Sequence, residues 1–230
     1  MTDAWPGNRD GLVFVWADAK ADNTVTEADG KTVRRCTVQP RGQATTDDRG
    51  AMVLGKGGML AQGADAALLA ACRRSNQVSI EALVTPQDAA QTGPARLVTF
   101  SADPYNRNLT LGQEGEWLVV RLRTPRTGAN GMNPEVRLAR VAGGRTYHLI
   151  VAYAPGRLVG YVDGKRVLDT DAVQGDLSNW ADMHLLFGDE WQDARLWAGR
   201  LEGIAIHSRV IGAEEAAKRY DLAVRRLKGR

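Results

Sequence analysis

Residues 145–167, RTYHLIVAYAPGRLVGYVDGKRV, decide the fold class of this chain. Two runs with alternating apolar residues flank a turn at residues 154–157, and side chains alternate between the two faces of a strand. A second tight turn follows at Asp163-Gly164, a pair that accepts the positive φ of a two-residue hairpin. The stretch therefore predicts a β-meander with one apolar face. In its first run that face carries Tyr147, Leu149, Val151 and Tyr153.

Size and composition indicate one large all-β domain over residues 1–230. The chain is 43% hydrophobic and 25% charged, which is typical of a globular protein that buries a core. Its 25 glycines recur at segment ends, as expected of many short strands joined by turns. We find neither an internal repeat nor a linker between domains.

The charge distribution argues against nucleic acid as a partner. The net charge is only +3, and the basic residues are scattered except for a run at residues 225–230. We interpret that run as a solvated helix end whose positive charge complements the helix dipole. No apolar stretch approaches the roughly 18 residues of a membrane span, so no such span is expected.

Helices are predicted at two places. Residues 65–74 (DAALLAACRR) are rich in Ala and Leu and begin with Asp65, a favourable N-cap. Residues 213–227 form an amphipathic pattern in which Glu214 with Lys218 and Glu215 with Arg219 make i,i+4 ion pairs. The expected buried face of this second helix carries Ala217, Tyr220, Val224 and Leu227.

Three segments together resemble the laminin-G-like, concanavalin-A-type jelly rolls. Residues 145–167 are similar to their hairpin pattern W-H-H-V-A-x-T-Y-D-G…L-Y-V-D-G, and residues 77–86 (QVSIEALVTP) to the strand F-T-I-E-A-W-V-K-P, with Leu83 in place of Trp. Residues 199–220 resemble the closing motif G-x-I-D-E-V-R-I-Y-N-R-A-L-S-x-E-E-I. The resemblance implies an antiparallel two-sheet jelly-roll sandwich with a short helix and a C-terminal helix.

The cellular compartment depends on what precedes this chain. Residues 101–134 resemble a bacterial subgroup of these domains attached to extracytoplasmic and membrane-anchored proteins, which implies a periplasmic or cell-surface location and a larger parent protein. The first residues, MTDAWPG, lack the layout of a signal peptide. The chain is therefore cytoplasmic, or it is a domain whose export signal has been removed. Cys36 and Cys72 could form a disulfide or remain two buried thiols.

Glycoside hydrolases share this architecture and need two neighbouring carboxylates. Strand residues i and i+2 supply such a pair in that clan, yet no strand here carries it. Glu114 and Glu116 straddle a predicted turn, and Asp189 and Glu190 are adjacent, so they would point to opposite faces. Acids on different strands could still meet. His148 is interpreted as structural, because a general base needs a positioned partner.

Aromatic residues in polar loops favour a sugar ligand, since a sugar ring stacks on an aromatic face while polar side chains bind its hydroxyls. Asp103 and Asp189 are also tentative calcium ligands, because Ca²⁺ takes six to eight oxygens; otherwise Asp and Asn simply form turns there. The loop residue Asp193 belongs to the same oxygen-rich segment. The expected ligand-binding residues are Asp103, Tyr105, Asn106, Arg107, Asp189, Glu190, Trp191, Gln192 and Trp197.

The sequence thus predicts a non-catalytic recognition module that binds carbohydrate or another extracellular ligand, including a protein, through loops at one rim. No cofactor is expected to be required. Two alternatives remain open. One is a glycan-active hydrolase or lyase on the same fold, and the other is a structural or protein-interaction module of a larger extracytoplasmic protein.

Overall fold

The computed structural model of the chain describes residues 5–21, 23–192 and 194–229, and these contain seventeen strands and two helices. The helices are α1 (Asp65–Ser75) and α2 (Ala213–Lys228). The strands are β1 (Leu12–Trp16), β2 (Thr24–Thr26), β3 (Val33–Arg35), β4 (Thr37–Gly42), β5 (Thr45–Thr46), β6 (Met52–Leu54), β7 (Gly57–Gln62), β8 (Val78–Pro86), β9 (Ala95–Asp103), β10 (Asn106–Glu114), β11 (Trp117–Leu122), β12 (Val136–Arg140), β13 (Tyr147–Ala154), β14 (Arg157–Val162), β15 (Lys165–Thr170), β16 (His184–Phe187) and β17 (Gly199–His207).

The strands form two antiparallel sheets, as the jelly-roll prediction requires. The ten-stranded sheet has the order β15-β14-β13-β8-β17-β1-β2-β3, with β6 pairing β17 and β5 pairing β6. The seven-stranded sheet has the order β12-β11-β10-β9-β16-β7-β4. The opening stretch supplies β13, β14 and β15 at one edge of the ten-stranded sheet, and Asp163 and Gly164 at the second turn have φ values of 51° and 76°. The predicted fold class is confirmed.

The core lies between the inner faces of the two sheets. Phe14 of the ten-stranded sheet packs on Phe187 of the seven-stranded sheet, with ring centroids 5.6 Å apart. Both side chains are fully buried, and burying a large apolar side chain stabilises a fold by about 1.5–3 kcal/mol. Cys36 and Cys72 are both free and buried, so the sandwich is held by packing rather than by a disulfide between them.

Helix α1 occurs where it is expected, but Asp65 does not cap it. The N-cap position is Ala64, which makes no side-chain hydrogen bond to the helix. The carboxylate of Asp65 instead accepts a hydrogen bond from the backbone N–H of Leu185 at 3.0 Å and lies 3.5 Å from His184. Asp65 therefore ties the start of α1 to the seven-stranded sheet.

Helix α2 covers the outer face of the ten-stranded sheet with a different side from the one predicted. Its buried residues are Ala216, Arg219 and Ala223, whereas Ala217 is exposed. The reason is an ion pair: Arg219 donates a hydrogen bond to Glu81, which lies between two core residues of β8 and so points outward from the sheet. A buried arginine with a partner can occupy a position that a hydrophobic pattern assigns to solvent.

Glu81 is the centre of a buried polar network on that outer face. Besides the bond from Arg219, its carboxylate lies within 2.9 Å of Trp5 Nε1 and of His148 Nε2. Residues of β8, β13 and α2 and the turn residue Trp5 therefore meet at one carboxylate, which positions α2 on the sheet. Neither helix within the described ranges is long and apolar enough to cross a membrane.

Candidate functional site

The outer face of the seven-stranded sheet is unusually polar. Phe100, Leu109 and Leu122 stand side by side on β9, β10 and β11 and point into the core. Their neighbours in the next register row therefore point outward, because side chains alternate along a strand. That outward row contains Thr99, Thr110 and Arg121, all buried. Buried polar residues on an outer face indicate that something lies over it.

One element that covers this face is the segment that follows β16. Glu190 is 1% exposed, and its carboxylate accepts hydrogen bonds from Arg96 Nε at 3.0 Å and from the hydroxyl of Ser101. Arg41 donates to the backbone carbonyls of Glu190 at 3.3 Å and of Trp191 at 3.0 Å. The segment is thus attached to both halves of the sheet, since Arg96 and Ser101 lie on β9 and Arg41 lies on β4.

Trp191 is partly exposed on this face and is flanked by two polar side chains. Its ring centroid lies 3.7 Å from that of His184 and 4.5 Å from the guanidinium carbon of Arg41. The second contact has the geometry of a cation–π interaction, which holds the ring in place. Gln192, next in the chain, is exposed. The arrangement presents a fixed aromatic surface beside hydrogen-bonding groups.

The turn between β9 and β10 lies at the same end of the sheet, because His184 pairs with Ser101, two residues before β9 ends at Asp103. The carboxylate of Asp103 accepts hydrogen bonds from the backbone N–H of Tyr105 at 2.7 Å and from the N–H and side-chain amide of Asn106, both at 2.9 Å. Burial opposes the effect, but these bonds lower the pKa of Asp103 below its usual value. Tyr105 is 71% exposed at the tip.

The two tentative calcium ligands both support local backbone structure. Asp103 stabilises its own turn, and Asp189 Oδ1 accepts from the N–H groups of Glu190 and Arg195, each at 2.8 Å. Within residues 5–21, 23–192 and 194–229, no cluster of three or more His, Cys, Asp or Glu is placed to hold a metal ion. Asp193 lies outside the described residues. Calcium binding remains a prediction without support from these contacts.

Arg107 is buried on the same outer face. It stands opposite Ser101 on β9, and its side chain is 1% exposed. Burial and the nearby guanidiniums of Arg96 and Arg121 lower the pKa of Arg107 to about 9. Arg96 is paired with Glu190, and Arg121 is paired with Glu135 at 2.6 Å. This face therefore carries a concentration of positive charge.

Trp197 does not belong to this surface. It is 0% exposed, and its indole Nε1 donates to Gln113 Oε1 at 2.9 Å inside the core. Trp180 is also buried, with Nε1 donating to the carbonyl of Arg123. Both rings belong to the main core cluster, because an indole fills a large volume once its single N–H is satisfied. The expected stacking role of Trp197 is not compatible with this position.

The structure thus brings Arg107, Glu190, Trp191 and Gln192 to one outer face, with Asp103, Tyr105 and Asn106 at its end. Sequence reasoning missed Arg41, Arg96 and His184, which hold the covering segment. One signal was present: Arg96 interrupts the apolar run of β9, as an outward-facing residue would. The contact between Arg96 and Glu190 spans 94 residues, and no local pattern indicates it.

Solved structures with the same fold include carbohydrate-active proteins. Domain 4 of AbnA, a GH43 extracellular arabinanase from Geobacillus stearothermophilus solved with arabinotriose, superposes with a TM-score of 0.60 at 15% identity, covering 91% of this chain and 98% of that one. A mutant sialidase of Trypanosoma rangeli with trans-sialidase activity gives a TM-score of 0.62 at 15% identity, covering 94% of this chain but 34% of the sialidase.

The binding domain of botulinum neurotoxin serotype D/C gives a TM-score of 0.65 at 10% identity, covering 92% of this chain and 52% of that domain. Such low identities establish a shared fold only. A comparison with curated protein sequences gives no match. A laminin G-type family model, described as the concanavalin A-like lectin/glucanase superfamily, matches residues 57–217, well over half of the chain. The two sheets, their order and this match lead to one conclusion: the chain belongs to the concanavalin A-like lectin/glucanase superfamily.

Proposed function

We propose that this chain is a non-catalytic recognition module that binds carbohydrate at the end of the seven-stranded sheet where Trp191 and Tyr105 are exposed. The observation that carries the proposal is the fixed, partly exposed ring of Trp191 beside His184 and Arg41. A rigid aromatic surface suits the C–H face of a sugar ring, and its polar neighbours suit the hydroxyl groups.

We favour binding over hydrolysis because of Glu190. Its carboxylate is the one that is buried on the described part of this face. Glu190 already accepts hydrogen bonds from Arg96, from Ser101 and from the N–H of Trp191. A glycosidase needs a second carboxyl group across the scissile bond and a first that is available to donate a proton. Glu190 is instead occupied in fixing the covering segment.

The fold relatives agree with a carbohydrate ligand. The arabinanase domain was solved with a bound arabinotriose. A botulinum neurotoxin DC binding domain of the same fold was solved in complex with SialylT. We also propose that this module works outside the cytoplasm, and the extracellular arabinanase with the same fold supports this location. Fractionation of cells that express the tagged full-length parent gene tests the location, and recovery in the cytoplasmic fraction contradicts it.

A glycan array probed with and without calcium tests the function. We expect a positive signal that Trp191→Ala weakens about tenfold or more, equivalent to at least about 1.4 kcal/mol of binding free energy. The matched control is Trp117→Ala. Trp117 lies under the guanidiniums of Arg137 and Arg140, 5.3 and 4.9 Å away, at the opposite end of the β10–β11 hairpin.

Two results would contradict the proposal. One is the absence of any glycan signal in a folded protein. The other is a signal that Trp117→Ala abolishes and Trp191→Ala leaves unchanged, since the sugar would then bind elsewhere. A signal that requires calcium would add a metal to the same site.

A further inference from the structure

The guanidinium of Arg107 forms no ion pair among the described residues, although the carboxylates of Glu190 and Asp103 lie near enough to attract it. Its Nε and Nη1 atoms are fully buried and have no hydrogen-bond partner within residues 5–21, 23–192 and 194–229. The backbone is satisfied separately, because the N–H of Arg107 donates to the carbonyl of Ala129 at 3.1 Å. The missing hydrogen-bond partners are therefore those of the guanidinium and not of the backbone.

A buried ion without a partner is strongly disfavoured in a folded protein. The guanidinium nevertheless remains charged at neutral pH, because burial and neighbouring positive charges lower the pKa of Arg107 only to about 9. Proteins resolve this situation by supplying a counter-ion, since Arg offers planar donors that fit an oxyanion through two parallel hydrogen bonds.

The neighbouring acidic side chains attract Arg107, but their oxygens form hydrogen bonds with other groups. The carboxylate of Glu190 contacts Arg96 and Ser101, and that of Glu135 contacts Arg121. Asp103 lies closest in sequence, yet its oxygens accept from the turn at residues 105–106. Arg107 therefore has no hydrogen-bonded carboxylate of its own among the described residues.

We propose that Arg107 is the centre of an anion-binding site that takes a carboxylate or sulfate group, and that the glycan recognised by this module is therefore acidic. The second part rests on the proposed carbohydrate-binding function; the first part does not. The exposed Tyr105 and Asn106 immediately precede Arg107, so the turn proposed to hold the sugar is next in sequence to the anion site. The guanidiniums of Arg96 and Arg121 also attract an anion electrostatically, although each is already paired with a carboxylate.

Thermal unfolding of the purified protein tests the anion site, with sodium sulfate replacing sodium chloride at constant ionic strength. At a sulfate concentration of about 100 times Kd, the wild-type Tm is expected to rise by about 5–10 °C. Arg107→Gln should abolish this rise. The matched control is Arg157→Gln, which removes an exposed arginine paired with Asp169 on the other sheet and should retain the rise.

Arg107→Lys provides a second variant that keeps the positive charge. Lys lacks the planar pair of donors, so sulfate should bind at least about tenfold more weakly than to wild type. A sulfate-dependent rise of equal size in wild type, Arg107→Gln and Arg107→Lys would overturn the anion site, because the ion would then act elsewhere. Absence of any rise in wild type would overturn it as well.

A second arm identifies the source of the anion by comparing a galacturonate trimer with the neutral galactose trimer of the same linkage. Tighter binding of the acidic trimer, lost in Arg107→Gln, supports an acidic glycan. If sulfate stabilises the protein through Arg107 but neither trimer nor any array glycan binds, the anion site stands and the carbohydrate function fails. If a neutral glycan binds equally to wild type and Arg107→Gln without a sulfate effect, the function stands and the anion site fails.

Discussion

The carboxylate of Glu81 on β8 and the guanidinium of Arg219 on α2 form a fully enclosed ion pair, although 138 residues separate them in the chain. Each partner is costly to bury alone, so the pair determines where α2 can sit on the ten-stranded sheet. The side chains of Trp5 and His148 also lie within hydrogen-bond distance of the same carboxylate. Four distant parts of the sequence are thereby brought together.

Removal of either member of the Glu81–Arg219 pair should therefore destabilise the protein strongly. We expect Arg219→Met to lower the free energy of unfolding by about 3–5 kcal/mol, because Glu81 keeps a buried charge that has lost its main partner. Urea unfolding followed by tryptophan fluorescence measures the change. The control is Lys218→Met, whose exposed pair with Glu214 should matter little. Equal losses in the two variants would show that the enclosed pair is not what holds α2.

His207 should make stability fall in mildly acidic solution. Burial and then the nearby Arg219 lower its pKa from 6.5 to about 4, so the folded state favours the neutral ring. The resulting stability is fully present above the unfolded pKa and is lost as pH falls toward the folded pKa. From about pH 7 to about pH 5 the linkage relation gives a loss of about 2 kcal/mol.

His207→Asn should flatten that pH dependence. Asn can still donate to the carbonyl of Asp10, which His207 Nδ1 contacts at 3.1 Å, but it does not titrate. Urea unfolding at the two pH values gives the slope for each protein. Identical slopes in wild type and variant would assign the acid sensitivity to other groups.

The two cysteines should be unreactive in the folded protein. Burial raises the pKa of Cys36 to about 11 and also raises that of Cys72, and the thiolate is the reactive form. A thiol reagent at mildly alkaline pH should therefore label both cysteines only after denaturation. A disulfide in the non-reduced protein, detected as a mass loss of two hydrogens, would contradict the free thiols.

Gly58 should matter for ligand binding because the covering segment lies directly on it. A Cβ at this position would come within 2.7 Å of Asp189 Cβ and 2.8 Å of the carbonyl oxygen of Phe187. Gly58→Ala should displace the segment that carries Trp191 and weaken glycan binding about tenfold or more. Titration with a glycan that binds wild type gives the affinity, and Gly212→Ala, where a Cβ meets nothing, is the control. Unchanged binding in Gly58→Ala would mean that the segment does not position the ligand.

The sequence predicted the elements whose side chains alternate without interruption. β8, β13 and β14 fall where period-two patterns place them, because each has a face in the core. β15 was expected from the turn at Asp163-Gly164, and none of its residues is fully buried. The C-terminal helix was also predicted, along with its ion pairs Glu214–Lys218 and Glu215–Arg219. Its buried side was predicted wrongly, since a hydrophobic pattern cannot anticipate that Arg219 finds a buried partner on β8.

The candidate site was less predictable, for a physical reason. Thr99, Thr110 and Arg121 have the polarity of solvent-facing residues, yet all three are buried. The segment after β16 is attached to the sheet by contacts between residues far apart in sequence. Arg41 and Trp191, for example, are 150 residues apart. Trp197 illustrates the opposite case. Its predicted position in a loop led us to expect an exposed ring. The ring instead lies in the core, where its Nε1 donates a hydrogen bond to Gln113 on β10.

The position of β17 has a consequence for how the protein is made. It lies between β8 and β1 in the ten-stranded sheet, so the last strand in the sequence joins two parts formed much earlier. While the ribosome is still synthesising the preceding residues, β1 and β8 each keep an open edge that can pair with another nascent chain. Such distant pairings also form slowly. The newly made chain is thus exposed to aggregation until Gly199–His207 inserts and closes the sheet.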